Sequence, residues 1–188
     1  MKRIIITLLS LTLLLSCTAC ATQSAGHVSV PDAGITLNAP EGWLYGTPAM
    51  GLSSPIAVAS GMGPAEFGQL FGEDGYSFYS VDPVSGLVCC IVDLPPSLPD
   101  VAQQNQDDLT ADLIAGLGFP AEFVTTGFVR AGGSNFLYLR CELPGGMSYH
   151  CYVANGANTP YVIMFVPIAS GLPGDTVTAV PGSIRPEK

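Results

Sequence analysis

The side chains of this 188-residue chain that could do chemistry include six cysteines, two histidines and fifteen acids. Cys89 and Cys90 are adjacent in a β-rich run. Neighbours on a strand point to opposite faces, so this pair cannot ligate one metal from one side. Cys141 and Cys151 flank the turn sequence "PGG". With Gly146 at the midpoint, they are expected to face each other across a hairpin. Directly opposed Cβ atoms lie about 4.5–5.5 Å apart, against about 3.8 Å in a disulfide. The spacing therefore favours two buried thiols packed as small hydrophobes, with a bridge as the alternative in an oxidising compartment. His150 falls on the opposite side of its strand from Cys151, and zinc needs Cys and His that converge. No metal site and no cofactor are expected.

Asp107, Asp108 and Asp112 cluster in a helical pattern. Paired carboxylates can act as general acid and base, but on an amphipathic helix a solvated acidic face is the ordinary arrangement. No Gly-x-Ser-x-Gly elbow, phosphate loop or dinucleotide fingerprint occurs. We expect no catalytic residue. The alternative is a small extracytoplasmic enzyme using carboxylates such as Asp107 with Asp112. Trp43 and Tyr45 stand near a turn and could stack on a ligand, although a Trp in such a place is expected to plug one end of the core.

The N-terminus carries a different kind of chemistry. "MKR" is a short positive region, and "IIITLLSLTLLL" is an apolar run of secretory length. It falls short of the roughly 20 residues that span a bilayer. The next residues, "LLSC" at 14–17, resemble the lipobox of bacterial lipoproteins: an aliphatic residue, a tolerant position, a small residue, then Cys. The resemblance implies a diacylglycerol on the thiol of Cys17, with cleavage before it. "CTAC" makes Cys20 the alternative, but it places a cysteine where the aliphatic residue belongs. Each buried methylene contributes about 0.8 kcal/mol, so two or more acyl chains make a stable anchor. The expected address is extracytoplasmic, lipid-anchored to a bacterial membrane.

Charge narrows the partners. The six basic residues are Lys2, Arg3, Arg130, Arg140, Arg185 and Lys188, and the net charge is −9. The body has only Arg130 and Arg140 away from the ends, too few to displace counterions from nucleic-acid phosphates. The expected partners are the membrane, through the lipid, and an unidentified envelope protein or small-molecule ligand. Charged residues are only 11% against 48% hydrophobic, which marks a folded chain.

These residues must be positioned by a turn-rich body. "GITLNAP" alternates as a strand, and "SPIAVAS" at 54–60 is expected to be another. "GPAEFGQLF" reads as a short helix. "YSFYSV" and "GLVCCIVDL", joined by "DPVSG", read as a hairpin. Asp100 with Gln103 forms a capping-box pattern for a helix over 101–117, with Leu109, Leu113, Ile114 and Leu117 on one face. A meander follows: 121–130, 136–143, 147–154 and 160–168. Pro181 argues against a long final helix and for a brief helical or irregular tail. Strands grouped around one good helix mean α+β with an antiparallel sheet.

The opening strand followed by "PEGW" (Pro40–Trp43) resembles PsbP-like domains, as do the mid-chain helix, the meander and the "GSIRP" close. Here Gly171, Pro173, Gly174, Pro181 and Gly182 stand where that family closes with a longer amphipathic helix. The resemblance, over residues 34–185, implies an αβα sandwich used for binding or docking, without catalytic residues to carry over. The expected organisation is a lipoprotein signal peptide at 1–16, a flexible tether at 17–33 and one domain at 34–188.

Overall fold

The structure, a computed structural model, describes residues 26–102, 105–166 and 174–187. Cys17 and Cys20 lie outside them. The first two strands are β1 (His27–Val30) and β2 (Ile35–Asn38). They pair antiparallel, with Val28 opposite Leu37 and Val30 opposite Ile35. All four of these side chains are buried. The expected tether at 17–33 therefore needs correction: residues 27–33 belong to the fold. Short alternating stretches on either side of the Pro31–Gly34 turn each carry two apolar side chains that need a core.

Seven further strands form the main sheet. They are β3 (Leu44–Gly46), β4 (Tyr76–Val81), β5 (Val88–Asp93), β6 (Val124–Ala131), β7 (Ser134–Glu142), β8 (Ser148–Asn155) and β9 (Pro160–Val166). Their order is β3-β4-β5-β9-β8-β7-β6, antiparallel throughout. The expected hairpin and meander are both present. A last strand, β10 (Arg185–Pro186), pairs with the free side of β2.

The β7–β8 hairpin differs from expectation by two residues. Cys141 opposes Tyr149 and Cys151 opposes Leu139, so the cysteines share a face without facing each other. Gly145 and Gly146 both take left-handed φ angles, 101° and 86°. This centres the loop on Gly145, with the Leu143 N–H donating to the Met147 carbonyl at 2.8 Å. Diagonal neighbours of this kind lie about 7–8 Å apart, beyond disulfide reach, and both thiols are free and buried.

The described residues also form four α-helices: α1 (Pro55–Ser60), α2 (Pro64–Gly68), α3 (Gln106–Leu117) and α4 (Gly174–Ser183). The expected strand at 54–60 is in fact α1. Ser54 caps it by accepting a hydrogen bond from Ala57 N–H, Pro55 occupies the first turn, and a left-handed Gly61 ends it. These boundary signals outweigh the Ile and Val content inside. Helix α3 begins later than the expected 101. Ahead of its start at Gln106, the Val101 N–H donates to Asn155 Oδ1 and the Ala102 N–H to Asn105 Oδ1. Gln103 of the expected capping box lies outside the described residues. The tail expectation holds: α4 is short and contains Pro181.

The main sheet is covered on both sides. On one face, α3 contributes Leu109, Leu113 and Leu117 and α1 contributes Ile56, packed on Cys90, Leu137, Leu139, Cys151, Val153 and Val162. On the other, Val177 and Val180 of α4 join β1 and β2 over Cys89, Ile91, Phe136, Tyr152, Ile163 and Phe165. The class is α+β, an antiparallel sheet sandwiched between layers that contain helices. Trp43 is buried in the second core, as expected of a plug.

Candidate functional site

The acids and cysteines singled out from sequence do not converge. Asp107, Asp108 and Asp112 are exposed on the solvent side of α3, opposite the buried stripe of Leu109, Leu113 and Leu117. Cys89 and Cys90 are buried on opposite faces of β5. Burial raises both thiols well above their ordinary range, so neither is a thiolate at neutral pH. Among the described residues, no three His, Cys, Asp or Glu side chains come together to hold a metal.

His150 does find partners. In β7 and β8, Tyr138 opposes Tyr152, Arg140 opposes His150, and Glu142 opposes Ser148. Strand alternation sends all six to one face of the sheet. The Tyr138 hydroxyl lies 2.6 Å from His150 Nδ1, and Ser148 Oγ lies 3.5 Å from Nε2. Arg140 and Glu142 form an ion pair at the exposed rim. The Tyr138 ring packs on Tyr152, with centroids 5.0 Å apart. On β6 the residue opposite Tyr138 is Gly127, and the space where its side chain would stand is open. Tyr138 and His150 are therefore half-buried on a sheet face whose outer strand leaves a gap.

The electrostatics define what this group can do. Burial holds His150 below the ordinary imidazole value, Arg140 adds to the effect, and Glu142 opposes it. Burial raises Tyr138, with Arg140 opposing. Both groups are thus neutral at neutral pH. A phenol is a good donor and a ring nitrogen a strong acceptor, so the assigned arrangement has the Tyr138 O–H donating to Nδ1. That leaves the proton of the neutral ring on Nε2, facing Ser148. A general base needs Nε2 free to take the serine proton, with a carboxylate behind the ring to stabilise the imidazolium. Here a phenol occupies the carboxylate's place, and in the assigned tautomer Nε2 already carries the ring's proton. The arrangement presents hydrogen-bonding groups and an aromatic surface; it does not activate a nucleophile.

Sequence reasoning placed His150 on the correct face but missed Tyr138 and Arg140 as its neighbours. The signal that could have found them is the turn: centring it on Gly145 puts Arg140 opposite His150.

No protein-family model and no curated protein matches the chain. The solved structures that the chain resembles include two of different origin. One is a protein from Bacteroides thetaiotaomicron VPI-5482, 13% identical with a TM-score of 0.48, covering 88% of this chain and 50% of its own. This chain thus spans half the length of that one. The other is the solution structure of cyanobacterial PsbP (CyanoP) from Synechocystis sp. PCC 6803, 14% identical with a TM-score of 0.46, covering 92% of this chain and 98% of its own. Among the described residues, no helix is long and apolar enough to cross a membrane.

Proposed function

We propose that the chain is an extracytoplasmic lipoprotein, acylated on Cys17, whose α+β body binds or scaffolds a component of the cell envelope rather than catalysing a reaction. The observation that carries the non-catalytic part is the Tyr138–His150–Ser148 arrangement. Among the described residues it is where a histidine meets hydroxyls, and a phenol rather than a carboxylate stands behind the ring, which suits recognition rather than proton abstraction. The carboxylate enzyme reading loses its basis, because Asp107 and Asp112 sit in water on a helix face. The anchored part rests on the lipobox resemblance of Leu14–Cys17. The sequence resemblance to PsbP-like domains supports a binding role.

Metabolic labelling with an alkyne fatty acid tests the anchor. The parent chain and Cys20→Ser should label and partition with membranes, and Cys17→Ser should do neither. Full labelling of Cys17→Ser with loss in Cys20→Ser would move the anchor to Cys20. A mature chain free in the medium, with both early thiols bare by intact mass, would overturn the proposal. A pull-down of the anchored form from native membranes then addresses the ligand.

A further inference from the structure

The two edges of the main sheet are unlike. One edge, β3, is only three residues long and has α1 packed beside it. The other, β6, runs for eight residues, Val124–Ala131. It has no proline and no bulge, and its single charge is Arg130. Edge strands normally carry such devices because unpaired N–H and C=O groups invite another strand.

The direction of those groups follows from the β6–β7 turn. Gly132 and Gly133, with φ angles of 61° and 97°, form a two-residue connection between Ala131 and Ser134. A turn of this kind is flanked by a hydrogen-bonded pair. Ala131, Val129, Gly127 and Thr125 therefore turn their backbone groups toward β7. Val124, Thr126, Phe128 and Arg130 turn theirs outward.

We infer that β6 is a self-association edge: two copies of this chain pair antiparallel through β6 about a two-fold axis at Phe128, joining their main sheets into one. This register matches outward backbone groups with outward backbone groups. It sets Phe128 against its own copy, an aromatic pair of the kind that stabilises adjacent strands. On the opposite face it sets Val129 against Gly127, so the larger side chain stands beside the open space over the glycine. It also sets Arg130 against Thr126 of the second copy.

That last pairing supplies charge complementarity. Arg130 is exposed, and none of the described residues forms an ion pair with it. Thr126 of the same face receives a hydrogen bond from Gln106, the first residue of α3, at 3.4 Å. Asp107 and Asp108 follow in that first turn and are exposed. Strands pair about 4.8 Å apart, so each Arg130 enters beside Thr126 of the other copy, next to that acidic turn. The contact occurs twice by symmetry, as an isologous interface requires.

Sedimentation of the purified full chain in mild detergent tests the inference. The parent should give a protein mass of two chains. Arg130→Glu should raise the dissociation constant about tenfold or more. The double reversal Asp107→Arg with Asp108→Arg should do the same. Combining all three changes should restore the dimer, which a misfolded variant could not do. Thr126→Pro removes an outward N–H and should also give monomers, with a far-UV spectrum like the parent's. A parent that stays monomeric at about 100 μM, far above the dissociation constants of specific interfaces, would overturn the inference. So would a dimer indifferent to Arg130→Glu and Thr126→Pro, or a triple variant no better than its components.

Discussion

At the scale of single residues, His150 is a neutral group whose environment resists its protonation. Its folded-state value lies below the ordinary 6.5, with burial as the main cause. In the unfolded chain the ring takes up a proton near its ordinary value, before the folded one does. Its contribution to stability is therefore fully present above the unfolded pKa and is lost as pH falls through the folded one. Asp93 acts with the opposite sign at lower pH. Burial raises its carboxyl, so its contribution is present in acid and lost as pH rises through the folded value. The His150 effect is isolated by difference. From about pH 7.5 to about pH 5.5, on either side of the free imidazole value, the urea midpoint of the parent should fall more steeply than that of His150→Gln. Equal slopes for the two chains would show that the ring titrates alike in both states.

At the scale of elements, α3 shows how a short helix is held by what it covers. Its buried stripe of Leu109, Leu113 and Leu117 faces Leu137, Leu139 and Val153 of the sheet. Leu109 is fully buried, at 0% exposure. Leu109→Ala removes apolar contacts and leaves a cavity that a β-sheet floor cannot collapse to fill. The expected loss is about 2–5 kcal/mol in urea unfolding. A loss under about 1 kcal/mol, typical of surface changes, would mean that α3 docks more loosely than the structure shows. The same sheet face carries Cys90, Cys141 and Cys151, and burial raises all three thiols. They act there as core side chains, not as reactive groups.

At the scale of the whole molecule, the ends of the described body close against each other. Strand β2 lies between β1 and β10, so N-terminal and C-terminal segments share one small sheet. The Arg185 guanidinium donates to the Gly132 carbonyl at 2.9 Å, tying the C-terminal segment to the β6–β7 turn. On the other side, the turn at Gly156 packs so closely on the Ala33 carbonyl that a Cβ there would overlap it. The folded unit thus includes β1. A chain starting at Gly26 should melt well above one starting at Pro31, because the latter loses the buried Val28 and Val30. Those two side chains contribute on the order of 3–6 kcal/mol. Equal melting of the two chains would return residues 27–30 to the role of a tether.

Much of this fold is written locally. Alternation in β2, the aromatic-rich run of β4, turn chemistry at Asp82–Gly86, and the spaced leucines of α3 each follow from a few adjacent residues. Other parts could not be read that way. In α1, a serine cap and a first-turn proline overrode side chains that favour strands. Residues 27–30 look like a linker until β2 is there to pair with them. The candidate site shows the division most clearly. Period-two alternation alone placed His150, Cys141 and Cys151 on their faces, because a strand's faces are set by its own backbone. The neighbours of His150 depended on hairpin register, and a slip of two residues leaves every face unchanged while exchanging every partner. Only the tertiary structure, through the left-handed pair Gly145 and Gly146 and the packing of both sheet faces, decided that Arg140 and Tyr138 stand beside the ring.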